Sequence, residues 1–255
     1  MARAPVGETL SKDGESGLNR PEGEEAREFS TVGVAMPAAG TGARMGGVRK
    51  PFVDLCGEPI LLHSLRPFLE HPQVRAIAIA LGEKEFLNPP QWLEELGPRV
   101  HLVRGGDSRG ESVWAALQAL PSWVDLVAIH DAARPLVTKA IIGRCIQGAR
   151  GNRGDVAGWP AVDTLKRVGE RKKIVATLPR DEFWHAQTPQ VFPREMIVKA
   201  YQEAARTGIS DTDDSALVER VGGEVVMVRG SAFNLKVTRP EDLTMAELFL
   251  REEAG

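Results

Sequence analysis

Cysteine is nearly absent. Cys56 and Cys145 are the only two among 255 residues, so neither a disulfide framework nor a thiolate metal site is encoded, and both are expected to be buried free thiols. Aromatic residues make up only 5% and tyrosine occurs once. No apolar run approaches the roughly 20 residues that a membrane helix needs; the stretch 76–81 is among the longest. A strong excess of either charge is also missing. The formal net charge is −3, which gives no reason to expect nucleic acid or an anionic membrane as partner, so an anionic ligand must be met by a local cluster of cations.

Residues 1–30 have little apolar content and no signal-peptide core. They carry Glu8, Asp13, Glu15, Glu22, Glu24, Glu25 and Glu28, whereas a transit peptide is poor in acids. The segment is expected to be a disordered tail, and a cytoplasmic location follows by default.

What is present begins at residue 32. Strand-like runs at 32–39, 74–81, 101–104 and 125–129 alternate with helix-like runs at 60–69, 92–96, 112–120 and 141–149. The run 74–81 is continuously apolar, as a strand buried on both faces should be. The alternation predicts an α/β fold with a mostly parallel sheet, in which ligands bind beyond the carboxyl ends of the strands. Near residue 155 the pattern changes. Short runs at 156–159, 164–168 and 174–178, separated by charged or glycine turns, predict an excursion of hairpins over about 155–185. Helices are expected at 194–205, 214–221 and 241–252, with a strand at 224–228. Thr238 and Glu241 have capping-box spacing ahead of the last helix. The whole of 31–255 reads as one domain.

Three polar groupings fall where ligands should bind, and a fourth candidate lies later in the chain. The first is the loop of Pro37, Gly40, Gly42, Arg44 and Met45, followed by Arg49 and Lys50. Glycines let backbone N–H groups approach phosphate oxygens, and the cations add fixed charge. It is not a Walker loop, and Met45 stands where a dinucleotide fingerprint needs its third glycine. The second is Gly105, Gly106, Asp107 and Ser112, where a carbonyl or carboxylate could accept from the amine of a base, or Ser112 could simply cap a helix. The third is His130, Asp131 and Arg134. An Asp ending a buried strand can hold Mg²⁺ or a ribose hydroxyl, Arg134 can grip a phosphate, and an Asp131–Arg134 pair shaping a turn is the plainer alternative. His130 reads as structural. The fourth is Lys236, flanked by Leu235 and Val237 in a strand-like run, which needs an anionic partner if partly buried.

Over about residues 31–252 the chain resembles the 2-C-methyl-D-erythritol 4-phosphate cytidylyltransferases of the non-mevalonate isoprenoid pathway. The resemblance rests on the stretches 37–45, 105–113, 130–135, 163–166, 184–192, 212–214 and 236–243, in that order. It implies a Rossmann-like nucleotide-diphospho-sugar transferase fold with a protruding β-arm, exchanged between two subunits of a homodimer. It implies CTP and a polyol phosphate as reactants, with Mg²⁺ or another divalent cation. Arg44, Lys50 and Lys236 would be the catalytic cations. Pro37, Ala38, Ala39, Gly40, Gly42, Gly106, Asp107, Ser112, Asp131 and Ala132 would bind the nucleotide, with Asp131 also by the metal. Thr164 and Arg180 on the arm would bind the substrate phosphate, and Arg134, Thr188 and Thr212 would line the polyol pocket. The family usually has Pro-Lys-Gln around its loop lysine, whereas here Arg49-Lys50-Pro51 leaves Arg49 as the alternative cation. A fused second enzyme is expected to be absent. Ribitol 5-phosphate is the rival acceptor. An NAD-dependent oxidoreductase and a non-catalytic nucleotide binder are the readings from other classes.

Overall fold

The computed structural model describes residues 30–40, 49–209 and 213–253. The elements run β1 (Val32–Ala38), β2 (Asp54–Leu55), β3 (Glu58–Pro59), α1 (Ile60–Leu69), β4 (Val74–Leu81), α2 (Glu83–Leu87), α3 (Gln91–Glu94), β5 (Val100–Arg104), α4 (Arg109–Ala119), β6 (Leu126–Ile129), α5 (Lys139–Gly148) and β7 (Arg153–Pro160). Then come β8 (Lys166–Val168), β9 (Ile174–Thr177), β10 (Trp184–Pro193), α6 (Arg194–Thr207), α7 (Asp214–Arg220), β11 (Glu224–Arg229) and α8 (Pro240–Glu253).

Seven strands form one sheet in the order β11-β7-β10-β6-β1-β4-β5. All pairings are parallel except those of β10, which runs against both β6 and β7. β4 shows how sequence sets the layers. Its odd positions Ile77, Ile79 and Leu81 pack with Leu61, Leu65 and Phe68 of α1. Its even positions Ala76, Ala78 and Ala80 pack with Val113, Ala116 and Leu117 of α4. Strand alternation thus sends large residues to one helical layer and small ones to the other. At 25 cal/mol per Å², each fully buried Ile or Leu contributes about 1.5–3 kcal/mol, so this strand is a major source of stability. A satellite core joins Leu55, Ile60, Leu136, Val237 and Ala246, docking α8 against β2 and the start of α1.

Three expectations need correction. Residues 156–159 are not part of the hairpin excursion but lie in β7, a long inner strand of the main sheet. The arm itself is narrower, a β8–β9 antiparallel hairpin carried between β7 and β10. Cys145 is buried, its thiol pushed up to about 12 chiefly by burial, but Cys56 is exposed at the turn between β2 and β3. The residue that caps α8 is Asp242 rather than Glu241: its Oδ2 accepts from the Thr238 and Arg239 amides and the Thr238 hydroxyl. Among the described residues, no helix is long and apolar enough to cross a membrane.

Candidate active site

The parallel strands β5, β4, β1 and β6 end together, and their carboxyl ends open into a cleft of about 590 Å³. Pro37, Ala38, Ala39 and Gly40 form one wall as β1 ends. Facing them is the turn after β5. A Cβ at Gly105 would lie 2.5 Å from the Ala39 Cβ, so only glycine lets these two turns meet. Ser108, not Ser112, caps α4 by accepting from the Glu111 amide at 3.1 Å. Ser112 sits one turn further on, accepting from the Gly106 amide at 3.2 Å and donating to the Ser108 carbonyl at 2.9 Å. The Asp107 amide donates to Glu111 at 2.8 Å. The turn holding Gly106, Asp107 and Ser112 is therefore fixed by its own hydrogen bonds, with all three residues on the cleft.

The third wall grows from β6. Its four residues are all buried, so the strand delivers His130 and Asp131 rigidly to the sheet edge. Thr188 of β10 lies behind them, 3% exposed. Its hydroxyl accepts from the Asp131 amide at 3.0 Å and lies 3.0 Å from His130 Nδ1. That hydroxyl therefore donates to Nδ1, and His130 is the neutral tautomer whose Nε2–H donates to the Arg134 carbonyl at 3.3 Å. Burial pushes the His130 pKa down to about 3, which keeps the ring uncharged. His130 is structural, as its sequence context suggested.

Asp131 collects cations from three parts of the chain. Arg109 Nε is 3.0 Å from its Oδ1, Lys236 Nζ is 2.8 Å from its Oδ2, and Arg134 Nε is 3.7 Å from Oδ2. Burial alone would push this carboxyl up, but Arg109, Lys236 and Arg134 together hold it well below the usual carboxylate range. Lys236 reaches it from a loop, not a strand. The loop is pinned by the Val237 amide donating to the Ala133 carbonyl at 2.8 Å, and by Arg134 Nη1 donating to the Asn234 carbonyl at 2.7 Å. Asn234 in turn donates to the Thr188 carbonyl at 2.9 Å.

The structure thus brings together Pro37, Ala38, Ala39, Gly40, Lys50, Gly106, Asp107, Ser112, Asp131, Ala132 and Lys236 on one cleft. Arg49 also lines it and is paired with Glu85 at 2.8 Å. Arg134 and Thr188 brace the wall from behind rather than form its surface. Thr164 and Arg180 are exposed on the arm and do not line the cleft of their own chain; Arg180 donates to the Val162 carbonyl at 3.0 Å. Gly42, Arg44 and Thr212 lie outside the described residues.

Sequence reasoning missed Arg109, which lines the cleft and bridges Asp131 to Asp214. The available signal was a cation at the first position of a helix, where the dipole disfavours it. Among the described residues, no three His, Cys, Asp or Glu side chains cluster to form a protein-only metal cage. The single hard carboxylate of Asp131, beside space for phosphates and water, is instead the donor set that Mg²⁺ takes.

The family profile described as 2-C-methyl-D-erythritol 4-phosphate cytidylyltransferase (IspD) matches residues 32–252. The curated relative of that name from Symbiobacterium thermophilum is 45% identical over 225 residues, spanning 88% of this chain and 94% of its own length. The one from Solibacter usitatus is 42% identical over 241 residues, spanning 88% and 97%. Among solved structures, the enzyme of this name from Thermus thermophilus superposes with a TM-score of 0.73 at 30% identity, covering 88% of this chain and 99% of that one. The 4-diphosphocytidyl-2C-methyl-D-erythritol synthase of Anaerococcus prevotii superposes with a TM-score of 0.78 at 25% identity, covering 87% and 96%.

Proposed function

Since the chain belongs to the 2-C-methyl-D-erythritol 4-phosphate cytidylyltransferase family, we propose that its cleft transfers CMP from CTP to 2-C-methyl-D-erythritol 4-phosphate and releases pyrophosphate. The chain is a nucleotidyltransferase of isoprenoid precursor synthesis, and the names of its relatives do not favour ribitol 5-phosphate as acceptor. The observation that carries the chemistry is the meeting of Lys50 and Lys236, from opposite ends of the chain, on the one cleft that Asp131 centres.

The reaction must bring two polyanions together. At an effective dielectric of about 20, two unit charges 4 Å apart repel by roughly 4 kcal/mol, and several such pairs arise. A 4-phosphate oxygen attacks the α-phosphorus of CTP, a new P–O bond forms, and the bond to the bridging oxygen breaks on the opposite side. That electron pair leaves with pyrophosphate, and no covalent enzyme intermediate is required. Lys50 and Arg44 would hold the triphosphate. Lys236 would face the α-phosphate and stabilise the charge that develops there. Ala38, Ala39, Gly106, Asp107 and Ser112 would contact cytosine, with Asp131 and Ala132 at the ribose. The Asp131 carboxylate would hold Mg²⁺ together with phosphate oxygens and water; such an ion neutralises phosphate charge.

The arm supports a homodimer. Val162 (64% exposed), Val168, Ile174 (58%) and Val175 are apolar side chains that this chain leaves uncovered, and a second copy would bury them. Thr164 and Arg180 would then reach the partner's cleft and bind the acceptor phosphate, with Arg134, Thr188 and Thr212 shaping the polyol pocket. Pyrophosphate release over a panel of CTP, UTP and ATP, each with methylerythritol 4-phosphate or ribitol 5-phosphate, tests the reading. Release is expected with CTP and methylerythritol 4-phosphate. Binding of CTP without release, or faster release with ribitol 5-phosphate, would overturn it.

A further inference from the structure

Arg109 opens α4 directly after the Ser108 cap, a place where a cation opposes the helix dipole. Something else must hold it there. Its Nη2 lies 2.8 Å from Asp214 Oδ2, while its Nε lies 3.0 Å from Asp131 Oδ1. Asp214 is the first residue of α7 and is 1% exposed. Its other oxygen accepts from the Tyr201 hydroxyl of α6 at 2.5 Å. The Tyr201 ring stacks on Trp114 of α4, with centroids 5.8 Å apart and planes 7° from parallel. The start of α7 is also tied to β10, because the Ser215 amide donates to Gln190 Oε1 at 3.0 Å.

We propose that Asp214 and Tyr201 are positioning residues that act through Arg109 to fix the Asp131 carboxylate in the cleft. The proposal rests on the functional reading above. It adds a buried chain of contacts from α6, through α7 and α4, to the end of β6. A planar guanidinium offers separate nitrogens in a rigid fork to the two carboxylates; an ammonium presents its three donors from a single nitrogen on a flexible stem and does not fix the angle between them. With Oδ1 fixed by Arg109, Oδ2 is left to face Lys236 at 2.8 Å. Loosening the brace lets the carboxylate turn, and Lys236 and the nucleotide lose a fixed reference.

The test uses the full chain and three conservative variants, Asp214→Asn, Tyr201→Phe and Arg109→Lys, with the double variant Arg109→Lys/Asp214→Asn. CTP-binding stoichiometry from calorimetry counts intact sites, so that turnover is expressed per site able to bind CTP. A merely structural loss lowers the number of such sites and leaves the turnover of each unchanged. Turnover per site is expected to fall about 10- to 100-fold in Asp214→Asn and Arg109→Lys, in the range for residues that orient a functional carboxylate. Tyr201→Phe should cost about a few-fold. The double variant should be no worse than its weaker parent by more than about threefold, because the two residues share one interaction. Turnover per site within about twofold of the parent in Asp214→Asn, or effects that multiply in the double variant, would overturn the proposal. If Asp214→Asn does not fold, the cycle of Arg109→Lys with Tyr201→Phe decides by the same criteria. An unchanged turnover in Lys236→Met would instead sink the reading of the cleft itself, separately from the brace.

Discussion

The two halves of β10 lie in opposite surroundings. Trp184, His185 and Ala186 are exposed where the strand leaves the arm, whereas the run from Gln187 to Phe192 is buried between β6 and β7. The buried half supplies Thr188 to the back of Asp131 and Gln190 to the start of α7. The exposed half roots a hairpin whose apolar side chains meet solvent. In the cleft, the Asp131 carboxylate is buried and each cation near it has an acceptor. On the arm, Lys166 and Arg180 are exposed: Lys166 donates to the Thr177 hydroxyl and Arg180 to the Val162 carbonyl, with the Asp181 carboxylate 3.9 Å from Arg180. One region has its partners within the chain, and the other is the part that the proposed homodimer would cover. Stability and turnover should therefore respond to changes in the first, and assembly and acceptor binding to changes in the second.

The sharpest break of that contrast is in stability. Phe192→Ala should cost about 3–5 kcal/mol, because the side chain is fully buried, while Ile174→Ala on the arm should stay within about 0.5 kcal/mol at concentrations where the chain is monomeric. Urea unfolding of both variants measures the difference, and equal losses would erase the distinction. Next comes turnover. Lys236→Met should lower kcat about 10²- to 10³-fold while CTP affinity changes only a few-fold; steady-state kinetics with calorimetry reads both. The third effect is acid sensitivity. His130 is held neutral to a pKa of about 3 by burial, against an ordinary 6.5 when unfolded. The unfolded chain takes up a proton in that interval that the folded chain refuses, so stability is present above about 6.5 and falls as pH drops towards 3. The slope is at most about 1.4 kcal/mol per pH unit. His130→Asn should flatten this slope in denaturation curves taken from pH 7 to pH 4. The smallest effect tests the arm: Arg180→Ala should raise KM for the polyol phosphate about tenfold and leave CTP binding unchanged. At polyol phosphate well below KM, mixing that variant with Lys236→Met should give roughly a quarter of the parent activity if arms are exchanged in dimers, against about a twentieth if each site is served by its own arm.

The periodic parts of the fold were legible. The runs 60–69 and 74–81 coincide with α1 and β4 because burial on a helical stripe, or on both strand faces, leaves an unbroken apolar pattern. β10 was not read as a strand: Gln187, Thr188, Pro189 and Gln190 break its apolar run, since these side chains serve the site rather than the core. For the same reason β7 was assigned to the arm, its boundary with the hairpin being set by pairing with β10 and β11. In the cleft, glycines, cations and Asp131 were visible as residue types at strand ends. Arg109 was not, because its role depends on Asp214, 105 positions away in sequence, and spacing along a chain says nothing of such a meeting. Lys236 has the anionic partner that its context calls for, but the backbone that presents it is a loop, tied to the turn after β6 and to β10, rather than a strand.

The alanine face of β4 sets how near α4 lies to the sheet, and α4 begins with the residues that border the nucleotide cleft. Two methyl groups added at Ala78 would have to be accommodated between the sheet and α4, the helix that carries Arg109 and Ser112. The thickness of that layer, set away from the cavity lining, therefore bears on where those two side chains stand relative to Asp131.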